Sequence, residues 1–453
     1  MSDNTELKRF TTVNFLNFAL GFLGLQFAWQ MRIALSEPVT SSLGASPFLY
    51  SLIWLAGPFS GMIVQPIIGV LSDNTKSKFG KRRPYLLGGA IITALALWAF
   101  PHSATISGML GNIFHINMPA WAGLLIAAGM IWIIDACINI AQGPYRSLVP
   151  DVVPREQHAQ ANSYISLSIG LGSVIAMLVA PALKFFFNYQ MPIESQFLMA
   201  GIAFALAMSW TCLTIKEKSS LNNASVQDES SEKQSFFQSL KEFFLLSPEV
   251  AKICLMQFFT WIGMMCLLIY VTPFVTHTVF GLADVNNVAI DKSLQDTAQN
   301  FALICLGVFN LVCFLVAIPI GNLANKYGNK LVHILAMLSM IVAYLGLGIF
   351  NQDKIAVLSF MALSGIGWAS VCALPFAMLS RYIKPGTEGS VMGIFNIFIA
   401  GPQVFVCTLV GWIINVSVMA NGTNHHYEYA LFIGAACLAL AVLITNFLNE
   451  KKQ

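Results

Sequence analysis

Asp135 is the residue whose type and place most plainly offer chemistry. It interrupts an apolar stretch, with Ile131-Trp-Ile-Ile134 before it and Ala136-Cys-Ile138 after it. An ionised carboxylate in hydrocarbon is costly unless a partner or water solvates it, so acids at membrane depth usually line a pathway. Low dielectric also favours the protonated form of a carboxyl group, the form a reversible proton carrier must be able to adopt. A structural ion pair is the competing reading. On a helical wheel Asn139, Gln142 and Arg146 fall about +40°, −20° and +20° from Asp135, so four polar side chains share one face. Arg146 is roughly 16 Å along the axis from Asp135, which excludes a salt bridge within the helix and leaves it the inner end of a cavity or an anchor for the following loop.

Other polar groups sit in apolar surroundings too. Gln26, Gln30 and Glu37 share a face of the first apolar segment, while Arg32 lies off that face, needs a partner of its own and is the first candidate to compensate the charge of Asp135. Amides hydrogen-bonding to hydroxyls and aromatic faces stacking on C–H surfaces are the chemistry that recognises neutral polyols. Gln26, Trp29, Gln30, Gln65, Asn139, Gln142, Trp261, Asn396 and Gln403 supply such an inventory, with Trp54 nearby. For any single amide, a hydrogen bond between helices is the other reading. Many uncharged polar groups around one acid suit a neutral solute better than a charged one.

The elements that must position these side chains follow from composition. Of 453 residues 57% are hydrophobic and 10% charged, with mean hydropathy +0.70. A water-soluble fold carries about 25% charge. The apolar residues gather into runs of about 20 or more, long enough to cross a hydrocarbon core as helices. Twelve spans are expected, near 10–35, 48–71, 84–103, 120–146, 160–187, 196–215, 250–276, 300–323, 331–350, 355–380, 390–417 and 427–447. Asp135 is the only acid these bounds place well inside a span. The first run has no small-residue cleavage site and reads as a retained helix. All nine cysteines lie in apolar runs without metal-ligand spacing, so they read as small hydrophobes and no metal is expected.

A Ser-rich, charged stretch divides the chain into an N-terminal six-helix bundle (1–215), a linker (216–249) and a C-terminal six-helix bundle (250–453). Lys and Arg concentrate on the side that holds both termini, which predicts cytoplasmic termini in a plasma or inner membrane. Two landmarks repeat in order. Gly69-Val-Leu-Ser-Asp73 with Phe79-Gly80-Lys81-Arg82-Arg83 recurs as Gly321-Asn-Leu-Ala-Asn325 with Lys326-Tyr327-Gly328. Pro144-Tyr145-x-x-Leu148 recurs as Pro375-Phe376-x-x-Leu379. Repeated halves are the architecture that alternating access uses.

The Gly69–Arg83 loop resembles the signature loop of the major facilitator superfamily, and the likeness extends over essentially the whole chain. More narrowly, the sequence is similar to the sucrose-proton symporters of plants and their animal and bacterial relatives. The matching stretches are Gln26–Gln30, Ile53–Pro66, Asp135 with Gln142–Arg146, Gly393–Gln403 and, more briefly, Ala373–Ala377. Two departures are visible. Plant members carry a His after the first helix, where this chain reads Leu43-Gly-Ala45-Ser46-Pro47, and an Asp near the end of the seventh, where it reads Tyr270-Val-Thr272-Pro273-Phe274. The resemblance implies an all-α fold of two pseudo-symmetric six-helix bundles and a proton-coupled carrier of a disaccharide or glucoside, with an acid at the position of Asp135 taking the proton. It also implies that Asp73, Lys81, Arg82 and Arg83 hold an inner gate in an ion-pair network, a role that Asn325 in the second copy cannot share. A uniporter, a drug–proton antiporter and a sugar sensor are the rival readings. No phosphate-binding loop is present, and neither a paired acid nor a Ser/His/Asp set appears at membrane depth, so a nucleotide-driven pump and an enzyme are not expected; no cofactor or nucleic acid is implied. The expected partners are sugar, proton and lipid, and the expected state is a monomer.

Overall fold

Hydrocarbon offers no hydrogen bonds to backbone groups, so an apolar segment must satisfy them internally as a helix. The computed structural model describes residues 9–217, 248–282, 291–382, 388–420 and 426–449. Among the described residues twelve helices are long and apolar enough to cross a membrane, in the order and near the places read from sequence. Most of the expected linker, 216–249, lies outside the described residues. The helices up to the linker are α1 (Thr12–Ser42), α2 (Pro47–Ile53), α3 (Ala56–Asp73), α4 (Arg83–Ala99), α5 (Ser103–Phe114), α6 (Ala122–Val152), α7 (His158–Phe187) and α8 (Ile193–Thr214). Those after it are α9 (Pro248–Pro273), α10 (Lys292–Tyr327), α11 (Asn329–Ile349), α12 (Lys354–Val371), α13 (Leu374–Ser380), α14 (Glu388–Phe405), α15 (Gly411–Ala420) and α16 (Glu428–Asn446).

The chain forms two compact units, Met1–Gly44 with Phe59–Gln227 and Ala45–Pro58 with Asp228–Gln453. In the first, α1 packs against α7 and α8, and α4 against α6 and α8. In the second, α9 packs against α14 and α16, and α11 against α12 and α16. These pairings correspond helix for helix, as a duplicated six-helix plan requires. The central members are α1 and α9, whose apolar windows are 78% and 72% buried, against at most 56% in any other span. The outer faces of the remaining helices carry residues such as Leu206, Ile318 and Ile349, which suit lipid contact.

Several boundaries follow from local chemistry. Ser46 caps α2, accepting from the Leu49 N–H at 3.2 Å with Pro47 in the first turn. Asp291 and Asp353 cap α10 and α12 in the same way. The second span is broken at Trp54–Leu55, between α2 and α3 and just ahead of Gly57-Pro58. Open space surrounds the position of a Cβ at Gly61. Close packing against a neighbour is therefore not what this glycine serves. Within the second unit α2 is held by the Ser51 hydroxyl, 2.6 Å from the Tyr270 hydroxyl, and by Phe48 N–H donating to Asn415 Oδ1 at 3.4 Å. Gly411 lies so close to the Ser51 side chain that a Cβ there would collide with it.

One expectation needs correction. The first span, expected to end near 35, continues through Pro38 to Ser42, and the Thr40 hydroxyl donates to the Ser36 carbonyl at 2.9 Å. Glu37, expected beyond the span, is therefore buried inside it at 6% exposure. The first span thus takes in an acid near its end, whereas Asp135 lies in the middle of its own.

Candidate functional site

The first unit gathers its polar side chains from α1, α3, α6 and α7. Asp135 is fully buried on α6, and its Oδ2 accepts from Arg32 Nη2 of α1 at 2.6 Å. Arg32 is itself 2% exposed. Two charges removed from water stabilise one another only when closely paired, and this geometry meets that condition. The other carboxylate oxygen, Oδ1, is buried and has no hydrogen-bond partner among the described residues. Asp135 thus has one oxygen engaged by a cation and one open to accept a proton or a hydroxyl hydrogen bond.

One turn along α6, Asn139 ties this helix to α3. Its Nδ2 donates to Ser60 Oγ at 2.9 Å and to the Asp135 carbonyl at 2.8 Å, while its Oδ1 accepts from Gln65 Nε2 at 2.5 Å. Gln30 of α1 donates from Nε2 to Ser173 Oγ on α7 at 3.3 Å. Ser60 and Ser173 were not among the sequence candidates. A serine in an apolar segment gives no periodic signal, because its hydroxyl is often spent on the carbonyl one turn back, as Ser173 does toward Ile169 at 2.9 Å.

Exposure rises along the polar face of α6. Asp135 and Asn139 are buried, Gln142 is half-buried and Arg146 is exposed. Arg146 makes no hydrogen bond or ion pair among the described residues, so Arg32, not Arg146, is the cation at Asp135. Gln26 and Trp29 of α1 are half-buried. A Cβ at Gly172 would strike the Leu23 carbonyl and press on the Gln26 Cβ, so α1 and α7 pack closely there. Glu37 is buried toward the end of the same helix.

Asp73, Lys81, Arg82 and Arg83 lie at the other polar centre of this unit. Arg82 is the hub: Nη2 reaches Asp73 at 2.5 Å, Nε reaches Asp151 at 3.1 Å and Nη1 donates to Ser72 Oγ at 2.6 Å. Lys81 adds a second contact to Asp151 at 3.3 Å. Arg82 is buried and Asp151 22% exposed, whereas Asp73 is 57% exposed, so water screens the Asp73 pair more than the Asp151 pair. Glu217, just past α8, accepts from the backbone N–H groups of Arg82 at 2.9 Å and Arg83 at 3.4 Å. A carboxylate there complements the N-terminus of α4. Gly80 adopts φ +94°, and a Cβ on it would strike the Glu217 side chain. In the second copy of the loop Asn325 is exposed and takes no ion pair among the described residues, and Lys330 donates to the Asn446 and Leu448 carbonyls at 2.7 and 2.9 Å.

In the second unit Trp261 of α9 meets Trp368 of α12 edge to face, with ring centroids 5.8 Å apart. Gln403 donates to the Ile399 carbonyl of its own helix at 3.1 Å, and Asn396 is exposed. Sequence reasoning passed over Gln257 and Tyr270 of α9, both fully buried. No group of three or more His, Cys, Asp or Glu capable of holding a metal ion exists among the described residues.

Comparison with known proteins agrees with this architecture. The sucrose transport protein SUT2 of Oryza sativa subsp. indica is 26% identical over 424 residues, covering 84% of this chain and 83% of the relative. The sucrose transport protein SUC4 of Arabidopsis thaliana is 26% identical over 418 residues, covering 84% and 80%. The general alpha-glucoside permease of Schizosaccharomyces pombe is 23% identical over 486 residues, covering 89% and 87%. Among solved structures, a D-xylose-proton symporter superposes with a TM-score of 0.68 at 16% identity, covering 97% of this chain and 99% of the other, a likeness of fold. The family model described as Major Facilitator Superfamily matches residues 16–406. With twelve membrane-length helices in two corresponding units and that match over most of its length, the chain belongs to the Major Facilitator Superfamily.

Proposed function

We propose that this protein carries a sugar, a disaccharide or glucoside of the sucrose or maltose kind, across the membrane together with a proton by alternating access. The observation that carries the reading is Asp135, fully buried, with Oδ2 on Arg32 and Oδ1 unpartnered among the described residues. The names of its relatives, sucrose transport proteins and an alpha-glucoside permease, supply the substrate class.

With Asp135 ionised, the Arg32 charge is compensated. A proton on Oδ1 removes that compensation and turns the carboxyl group into a donor. A sugar hydroxyl answers both changes, because it accepts from the carboxylic acid or from the released guanidinium N–H and donates elsewhere. Proton and sugar therefore stabilise one another's occupancy, and by linkage each raises the affinity for the other equally. Gln65 and Asn139, bonded to one another, add amide groups one turn further along α6. Arg146, exposed on the same face, is the cation that remains for a second contact or for the inner opening. Asp73, Lys81, Arg82 and Arg83 gate the inner end.

The protein is multi-pass in its membrane. We place both termini in the cytoplasm of a plasma or inner membrane, on the Lys and Arg distribution, and take the transporting unit as a monomer.

The deciding experiment is uptake of labelled sucrose or maltose by proteoliposomes under an imposed pH gradient. Wild-type protein accumulates sugar above equilibrium, and Asp135→Asn does not. Accumulation by Asp135→Asn at the wild-type level would remove Asp135 from the coupling, and pH-independent equilibration by the wild type would favour a uniporter.

A further inference from the structure

Gln257 is fully buried on α9, and neither Nε2 nor Oε1 of its amide meets a hydrogen-bond partner among the described residues. One turn further along the same helix face, the buried indole N–H of Trp261 is likewise without a partner. Two donors' worth of amide hydrogen, an amide acceptor and an indole donor are therefore left open within a single helical turn. Native interiors rarely tolerate such a concentration, because each buried polar group without a partner carries its desolvation penalty.

The Trp261 ring has aromatic company from two further helices. The Trp261 ring meets Trp368 of α12 edge to face, and Trp368 is backed by Phe309 of α10, with centroids 6.4 Å apart and ring planes 25° from parallel. Gly365 allows this convergence, since a Cβ there would press on the Phe309 carbonyl. Hydrogen-bond capacity of both signs beside aromatic rings is the complement of a pyranose, whose hydroxyls donate and accept at its rim and whose C–H faces stack on rings.

We infer that Gln257 and Trp261, with Trp368 against the Trp261 ring, form a sugar-recognition subsite within the second unit. The Gln257 amide spans a pair of neighbouring hydroxyls, giving a hydrogen bond to one and accepting from the other, while the Trp261 N–H donates to a third sugar oxygen. This inference rests on the sugar reading above and assigns specificity to residues separate from the Asp135 pair.

The test measures binding of sucrose and maltose, and of monodeoxy derivatives of whichever binds, to the full chain in lipid nanodiscs by calorimetry. In wild-type protein at least one derivative should bind about tenfold more weakly than its parent, the loss expected for one unreplaced hydrogen bond to a buried polar group. In Gln257→Met that derivative and its parent should bind alike. Trp261→Phe keeps an aromatic ring while removing the N–H with the pyrrole half of the indole, and should erase discrimination at a different hydroxyl, which also gives a reading if Gln257→Met does not fold. Weakening of parent and derivatives by one common factor, or discrimination unchanged in both variants, overturns the subsite and leaves the sugar reading standing. A wild-type protein that binds neither sugar overturns both.

Discussion

Removing one partner of a buried ion pair strands the other in a medium that cannot solvate it, so the Arg32–Asp135 pair should show strong coupling. Arg32→Leu is expected to lower the unfolding free energy by about 3–5 kcal/mol. The double variant with Asp135→Leu should lose less than the sum of the two single changes, by about 1–3 kcal/mol. Denaturant unfolding in detergent micelles measures all three, and strict additivity would show that the 2.6 Å contact carries no energy of its own. Arg146 gives the opposite expectation. It is exposed and makes no ion pair or hydrogen bond among the described residues, so Arg146→Ala should leave the unfolding free energy within about 0.5 kcal/mol. Sugar uptake should fall all the same, and a variant that melts and transports like wild type would make Arg146 a bystander. At this scale the sequence showed much. Asp135, Asn139, Gln142 and Arg146 share a face by helical period alone, and Arg32 announced itself as a cation in need of a partner. It was the first candidate to compensate Asp135, but whether the two meet depended on the rotation of α1 against α6, which no spacing along the chain encodes.

The loop before α4 shows how an element is held at its end. Arg82 uses three different nitrogens on Asp73, Asp151 and Ser72. A lysine presents one, so Arg82→Lys should behave nearly as Arg82→Ala in uptake measurements although charge is kept. Recovery of the wild-type rate by lysine would reduce the hub to a matter of charge. Glu217 is expected to stabilise the first turn of α4 by about 1 kcal/mol, the usual worth of an N-terminal capping group. Glu217→Ala should therefore speed hydrogen exchange there, measured by mass spectrometry, while leaving α11 unaffected. Gly80→Ala should be the more damaging change, because it combines a left-handed φ with a collision against Glu217. Asp73 and the basic run are visible as a motif in the sequence. Asp151 and Glu217 are not, since each is an ordinary surface acid until the fold brings it to Arg82.

For the whole molecule, the Lys and Arg distribution predicts a cytoplasmic C-terminus. A C-terminal fluorescent-protein fusion should fluoresce and an alkaline phosphatase fusion at the same point should be inactive; the reverse pattern would invert the topology. Sequence alone determined the solvent, the number and order of spans and the twofold repeat, because runs of about 20 apolar residues have few other ways to satisfy their backbone. It also determined that an acid sits at membrane depth on a polar helix face. Tertiary structure decided that α1 and α9 are the buried centres of their units, that α1 passes through Pro38 and takes Glu37 inside, and that the second span breaks at Trp54–Leu55. It decided as well that Asp135 gives one oxygen to Arg32 and keeps the other open. The physical reason is range. Hydropathy and helical period act over a turn or two of chain and can be read in order, whereas the partner of a buried charge is set by packing between helices about a hundred residues apart.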